Sequence, residues 1–160
     1  VLNCSIKRKC RDWTYLGVFL VGSCVPLTDI YTSKNLDMNK SDIDHFIPWS
    51  YVCSDKLWNL MPAESSINRS KSNNLPDWER YFDPFAHNQY RMYSLVLDDD
   101  NARKLFDSCR EDNLYSMWAS ELLYAGYRDR DQFFKILNEN VCPLYNSALI
   151  QGYEVWSMTK

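Results

Sequence analysis

Hydrophobic and polar positions in the middle of the chain predict two short strands close together in sequence. Residues 43–47, IDHFI, mix β-branched, aromatic and polar side chains as short strands do, and Pro48 ends this strand. Residues 49–56 form a predicted loop. The run at 57–61, LWNLM, predicts a second strand. The two strands would close a hairpin-like unit.

A helix is predicted directly after this unit. Residues 64–66, ESS, offer an N-cap, and residues 73–76, NNLP, end the helix. Asn68, Lys71 and Ser72 follow the spacing i, i+3, i+4, so they share one face of the helix. The resulting order of strand, loop, strand and helix predicts a compact cradle for one ion.

Helical spacing dominates the chain after Pro76. The pattern predicts three to five helices, which pack around or beside the hairpin unit. Their markers are a segment from Asp77 to Leu97 interrupted near Pro84, apolar stripes at 114–122 and 133–137, and a last helix beginning near Pro143. These apolar stripes most simply pack in the hydrophobic core. The alternative is that they form a surface for a dimer or a protein partner.

Composition limits the class of protein. With 160 residues the chain is one domain, or a small module with an added helical part. The apolar run at 15–27 is too short to cross a membrane, which takes about 20 residues, so we expect a buried element there. Six cysteines without a regular spacing favour reduced thiols and a cytoplasmic location over a disulfide framework.

The net charge of −3 argues against strong non-specific DNA binding by this chain alone. A local basic cleft, a partner subunit or a metal ion could supply the attraction for phosphate. The basic run at 7–9 could contact phosphates, and it could equally form a solvated surface turn.

The chemistry that stands out is an Asp–His pair at the end of the first predicted strand. Histidine is a natural general base near neutral pH, and a carboxylate is a hard oxygen ligand suited to Mg²⁺. Asp44 and His45 are neighbours, and neighbours on a regular strand point to opposite faces. They can share a site only where the strand is distorted, and Pro48 makes a distortion there plausible.

The segment resembles the HNH (ββα-metal) nuclease family. It has the opening D-H-x-x-P-x-S at 44–50 and N-x-x-K-S at 68–72. The resemblance is to the subgroup that includes the nuclease module of CRISPR RNA-guided effectors. It implies an α+β fold with a ββα-metal core at 43–76, an N-terminal extension at 1–42 and a helical C-terminal part at 77–160.

By this resemblance, His45 is the general base that activates water, and Asp44 and Asn68 hold one Mg²⁺ or Mn²⁺ ion. No structural zinc is expected, because the chain lacks the two C-x-x-C pairs that brace other HNH proteins. The implied activity is hydrolysis of phosphodiester bonds in double- or single-stranded DNA, in a bacterial or phage setting such as antiviral defence.

Three further residues take roles from the resemblance. Asn59 would hold the loop and orient the histidine. Lys71 would be a cation near the scissile phosphate, and Arg69 could contact the nucleic-acid backbone. The other histidine, His87, has no ligand-like neighbours, so we expect a structural role for it.

Two alternatives to a self-sufficient enzyme remain. The module could bind nucleic acid without turnover, or it could be an effector subunit whose protein partner supplies targeting. In the second case, the partner or a second copy of this chain would bind the helical C-terminal part. Trp49, Tyr51 and Trp58 could stack on nucleobases, although Tyr51 and Trp58 more simply pack the small core.

Overall fold

The computed structural model describes residues 27–108 and 129–158. The basic run at 7–9, the apolar run up to residue 26 and the stripe at 114–122 lie outside these residues.

A two-stranded antiparallel hairpin forms the centre of the fold. Strand β1, Ser41–His45, pairs with β2, Leu60–Glu64. His45 lies opposite Leu60, and Ser41 lies opposite Glu64. The second strand therefore begins three residues later than the sequence pattern predicts.

The connection between the strands is more regular than a loop. It contains a one-turn helix α1, Trp49–Val52, and a 3-10 turn, Leu57–Asn59. Cys53 ends α1 in the left-handed region, with φ of 50°, and its N–H bonds to the carbonyl of Trp49. These two turns fold the connection back over the end of β1.

Helix α2, Ser65–Lys71, follows β2 without a linker and packs against both strands. It begins where the Glu-Ser-Ser sequence predicts it, and Ser72, with φ of 51°, caps its end. Because α2 starts beside Ser41, it runs back along the hairpin, and its last residue, Lys71, lies beside the end of β1.

The described residues after the module contain three helices. They are α3, Trp78–Asp98, α4, Asp100–Ser108, and α5, Arg130–Ile150. The predicted helix interruption near Pro84 and helix start near Pro143 are wrong, because both prolines lie inside continuous helices. Burial of the neighbouring residues Phe85 and Val141 stabilises these helices despite the missing N–H.

The C-terminal segment returns to the hairpin side of the molecule. Strand β3, Leu75–Pro76, pairs in parallel with β4, Val155–Trp156. The N–H of Leu75 donates to the carbonyl of Glu154 over 2.9 Å. No feature of the sequence predicted this pairing of residues 80 positions apart.

The core between the hairpin and the helices is rich in aromatic rings. Phe46 stacks on Phe85 with ring centroids 4.1 Å apart, and Trp78 stacks on Phe82 at 4.2 Å. The predicted stripe at 133–137 lies on α5, with Phe133 fully buried. The α+β fold class is confirmed. None of the described helices is long and apolar enough to span a bilayer.

Candidate functional site

A buried ion pair lies at the centre of the hairpin and α2. The ammonium of Lys71 is 3.0 Å from Oδ1 of Asp44, and both side chains are at most 5% exposed. The hydroxyl of Tyr31 donates to the other oxygen, Oδ2, over 2.7 Å. Both oxygens of the Asp44 carboxylate are therefore held from within the protein.

Tyr31 remains a hydrogen-bond donor at neutral pH. Burial, reinforced by the charge of Asp44 and by their hydrogen bond, raises the pKa of Tyr31 well above its ordinary value. The neutral hydroxyl consequently faces the carboxylate.

Lys71 also joins the two neighbouring residues of the Asp–His pair. Its ammonium donates to the carbonyl of His45 over 2.8 Å, while it binds the side chain of Asp44. Although the two side chains leave the strand in opposite directions, one cation thus fixes both residues. The sequence resemblance placed Lys71 near the scissile phosphate. Here its ammonium faces inward, and the phosphate contact stays a prediction.

Asn59 holds the chain just after His45. Its Nδ2 donates to the carbonyl of Ile47 over 2.7 Å, and its Oδ1 accepts from the N–H of Ile47 over 2.7 Å. The main-chain carbonyl of Asn59 also accepts from Phe46 over 2.8 Å. These three bonds bend the chain out of β1 and satisfy buried backbone groups.

The His45 imidazole is 15% exposed and has a carboxylate beside it. Its Nε2 lies 2.9 Å from Oδ1 of Asp55, a residue in the connection between α1 and the 3-10 turn. The sequence does not point to Asp55, because it lies ten residues from His45 in a predicted loop.

The other two predicted site residues lie on α2. Asn68 is half-buried, one helical turn before Lys71, and its side chain makes no hydrogen bond within residues 27–108 and 129–158. Arg69 is exposed. Their predicted roles in metal and backbone binding stay predictions.

Asp29 attaches the segment before β1 to the hairpin, and sequence reasoning missed it as well. Its carboxylate is buried and accepts from the N–H groups of Tyr31, Thr32 and Glu64. The bond to Glu64, over 2.8 Å, joins this segment to the start of α2. Asp29 thereby positions Tyr31 against Asp44.

The C-terminal segment contacts the same region. The Nε1 of Trp156 donates to the hydroxyl of Ser70 over 3.3 Å, and its ring packs edge-on against Tyr31 at 5.2 Å. Tyr153 packs edge-on against Tyr51 at 5.6 Å. These contacts support α1, α2 and the tyrosine beside Asp44.

The aromatic residues that could stack on nucleobases differ in exposure, and the second histidine has a structural contact. Trp58 is buried and Tyr51 is half-buried, whereas Trp49 is 52% exposed. His87 bonds to the main chain of Asp83 within α3, and its ring packs against Phe134 of α5. His87 is thus a contact between two helices.

The oxygens of the Asp44 carboxylate are not saturated by hydrogen bonds. Asp44 has one protein partner on each oxygen, and a carboxylate offers about four lone-pair positions, so it can accept a further ligand. The predicted second ligand, the amide of Asn68, would add a neutral oxygen. Within the described residues, no three His, Cys, Asp or Glu side chains cluster as a metal site. Binding of a divalent metal ion by Asp44 and Asn68 therefore stays a prediction.

Comparison with known proteins agrees with this geometry. Residues 29–77 match the family model described as HNH endonuclease. A 54-residue segment is 35% identical to the CRISPR-associated endonuclease Cas9 of Listeria innocua. That match covers 32% of this chain and only 4% of the relative. Members of the HNH family generally use a divalent metal. Residues 29–77 therefore match the HNH endonuclease family, and part of the chain is similar to the endonuclease Cas9.

Proposed function

We propose that this chain is a metal-dependent endonuclease that hydrolyses phosphodiester bonds in DNA, with His45 as the general base. The observation that supports it best is the fixation of the chain around His45. Lys71 holds the carbonyl of His45, and Asn59 holds both backbone groups of Ile47 two residues later. A general base acts efficiently only when its position is fixed relative to the attacked bond.

In this proposal His45 removes a proton from a water molecule, and the resulting hydroxide attacks phosphorus in line with the leaving 3′ oxygen. A Mg²⁺ or Mn²⁺ ion bound by Asp44 and Asn68 would supply positive charge at that leaving oxygen. Tyr31 and Lys71 keep the Asp44 carboxylate in one orientation. Outer partners of this kind commonly tune a metal ligand.

Substrate binding has to overcome the net charge of −3. Arg69 is exposed on α2, one residue after the proposed ligand Asn68, so it can contact the phosphate backbone. Lys71 is buried by the ion pair with Asp44, and its charge acts on the site through that carboxylate. The preference for DNA over RNA rests on the family likeness.

Plasmid nicking tests this proposal. Supercoiled DNA is incubated with the wild type, His45→Ala and His87→Ala in Mg²⁺, in Mn²⁺ and in EDTA. We expect metal-dependent nicking by the wild type and by His87→Ala, and a loss of about 10²-fold or more in His45→Ala. Nicking in EDTA, or nicking by His45→Ala at the wild-type rate, would contradict the proposal.

The alternative is that the nuclease depends on a protein partner or a second copy of this chain. Exposed apolar residues in the C-terminal part favour this alternative. Ile150 at the end of α5 is 87% exposed, and Val155 on β4 is 52% exposed. Wild-type protein that is folded and binds DNA, but nicks it only after a partner is added, would support this reading over a self-sufficient enzyme.

A further inference from the structure

Asp55 is the acidic residue that contacts the imidazole of the proposed base. Its Oδ1 is 2.9 Å from Nε2 of His45, and the side chains are 33% and 15% exposed respectively. Most of the imidazole is therefore shielded from water, and one of its two nitrogens faces a carboxylate.

The stretch that carries Asp55 is anchored on both sides. Before it, Cys53 closes α1 with a bond of 2.7 Å to Trp49. After it, the carbonyl of Lys56 accepts from the N–H of Asn59 over 2.9 Å. Asn59 in turn holds Ile47, two residues after the histidine. The backbones of Asp55 and His45 are consequently fixed relative to each other by the same set of bonds.

We propose that Asp55 is a positioning residue for His45 and selects the imidazole tautomer that works as the base. This inference rests on the proposed nuclease function. A neutral imidazole has one N–H donor and one acceptor nitrogen, whereas an ionised carboxylate only accepts. The contact therefore places the hydrogen on Nε2 and leaves the lone pair on Nδ1. Nδ1 is then the nitrogen that takes the proton from water.

The contact between Asp55 and His45 also assists the proton transfer from water. When Nδ1 accepts the proton from water, the imidazole becomes an imidazolium cation, and its Nε2–H still donates to Asp55. The carboxylate then faces a positive charge and stabilises it. The hydroxide forms its bond to phosphorus as the bond to the 3′ oxygen breaks, and the departing oxygen takes a proton from solvent. Asp55 itself exchanges no proton.

Steady-state kinetics with three variants test the role. We expect Asp55→Ala to lower kcat about 10- to 100-fold with KM within about twofold, as for other outer partners of site residues. Asp55→Asn keeps an acceptor without the charge, so it should retain more activity than Asp55→Ala. Asp83→Ala removes the carboxylate beside the other histidine, His87, and should match the wild type.

A double variant separates positioning from a general structural role. If Asp55 acts through His45, Asp55→Ala should cause no further loss in a His45→Ala background. An equal loss in both backgrounds, a change confined to KM, or no loss at all would overturn the proposal. In each of those cases the nuclease function would stand if the wild type cleaves and His45→Ala does not.

A measurement without turnover keeps the inference testable if the wild type does not cleave. The chain has two histidines, so the ¹⁵N spectrum of their side chains can be assigned with His87→Ala. We expect the Nε2–H tautomer at His45 in the wild type and a mixture of tautomers in Asp55→Ala. A wild-type His45 with its hydrogen on Nδ1 would overturn the proposal.

Discussion

The hairpin module and the helical part bury different kinds of side chain. In the described residues, the buried polar or charged side chains are Asp29, Asp44, Asn59, Lys71, Asn88 and Gln89. The first four lie within the module at 29–77. The last two lie on α3, and both donate to main-chain carbonyls in the span 28–60. These polar side chains therefore lie in the module or bond to it, apart from Asn88, which bonds to Thr28 directly before it.

This difference shows which region determines geometry and which supplies hydrophobic burial. A buried polar group destabilises the fold unless it is bonded, so each one has to keep its partner in place. The helices instead bury aromatic and aliphatic side chains, such as Phe85, Phe133 and Leu137, whose contacts have no fixed direction. We expect a small substitution in the module to lower the free energy of unfolding more than an equally small one outside it.

The largest effect should follow from breaking the buried ion pair. Lys71→Met leaves the carboxylate of Asp44 buried without its cation, and we expect the free energy of unfolding to fall by about 3–5 kcal/mol. Urea denaturation followed by circular dichroism measures this. The control is Arg69→Met on the same helix, which is exposed and should change stability by at most about 0.5 kcal/mol.

A second replacement sharpens the same test. Asp44→Asn, made in the Lys71→Met protein, removes the unpaired negative charge. The double variant should therefore recover part of the stability that Lys71→Met loses. A Lys71→Met protein as stable as the wild type would show that the pair does not hold the module together.

The next effect should come from the bonds that Asn59 makes to Ile47. Asn59→Ala leaves one buried N–H and one buried carbonyl without partners, at about 1–2 kcal/mol for each, so we expect a loss of about 2–4 kcal/mol. Urea denaturation with Asn73→Ala as the exposed control measures the difference. Equal stability of the two variants would contradict this account of the turn.

Removing one hydroxyl beside Asp44 should have a smaller effect. Tyr31→Phe deletes a hydrogen bond to a buried carboxylate, and we expect a loss of about 1.5–3 kcal/mol. Tyr153→Phe removes a hydroxyl that bonds at the surface to Ser50, and it should have almost no effect in thermal unfolding. If both variants lose the same stability, Tyr31 has no special role in fixing Asp44.

The smallest effect concerns the strand that returns from the C-terminal end. Trp156→Ala removes ring contacts with Tyr31 and Tyr81, and we expect a loss of about 1–2 kcal/mol. Val155→Ala on the same strand is the matched control, because Val155 is 52% exposed. A larger loss in Val155→Ala would show that β4 is held by other contacts than its tryptophan.

Much of the module could be predicted from the sequence, because its signals are local. The first strand was predicted at 43–47 and lies two residues earlier, at Ser41–His45, and the start of α2 after Glu64 agrees with the Glu-Ser-Ser signal. The sequence pattern predicts the second strand three residues too early. In the structure, bonds between Asn59 and Ile47 turn the chain at 57–59, so the strand begins at Leu60. That shift depends on a contact across the hairpin, which no local pattern contains.

The parts that could not be predicted depend on contacts between distant residues. Tyr31, Asp29 and Asp55 are unremarkable polar residues in the sequence, and their roles appear only when folding brings them to Asp44, Glu64 and His45. The pairing of β3 with β4 joins residues 80 apart. The helices continued through Pro84 and Pro143, because burial on either side outweighed the loss of one backbone bond.

The most direct test of the central claim, that the module fixes His45 as a general base, is the single-turnover rate of plasmid nicking in Mg²⁺. The wild type and His45→Ala are compared, with the free energy of unfolding measured on the same preparations. We expect the rate to fall by about 10²-fold or more while stability changes by less than about 1 kcal/mol. Equal rates in the two proteins would contradict the account.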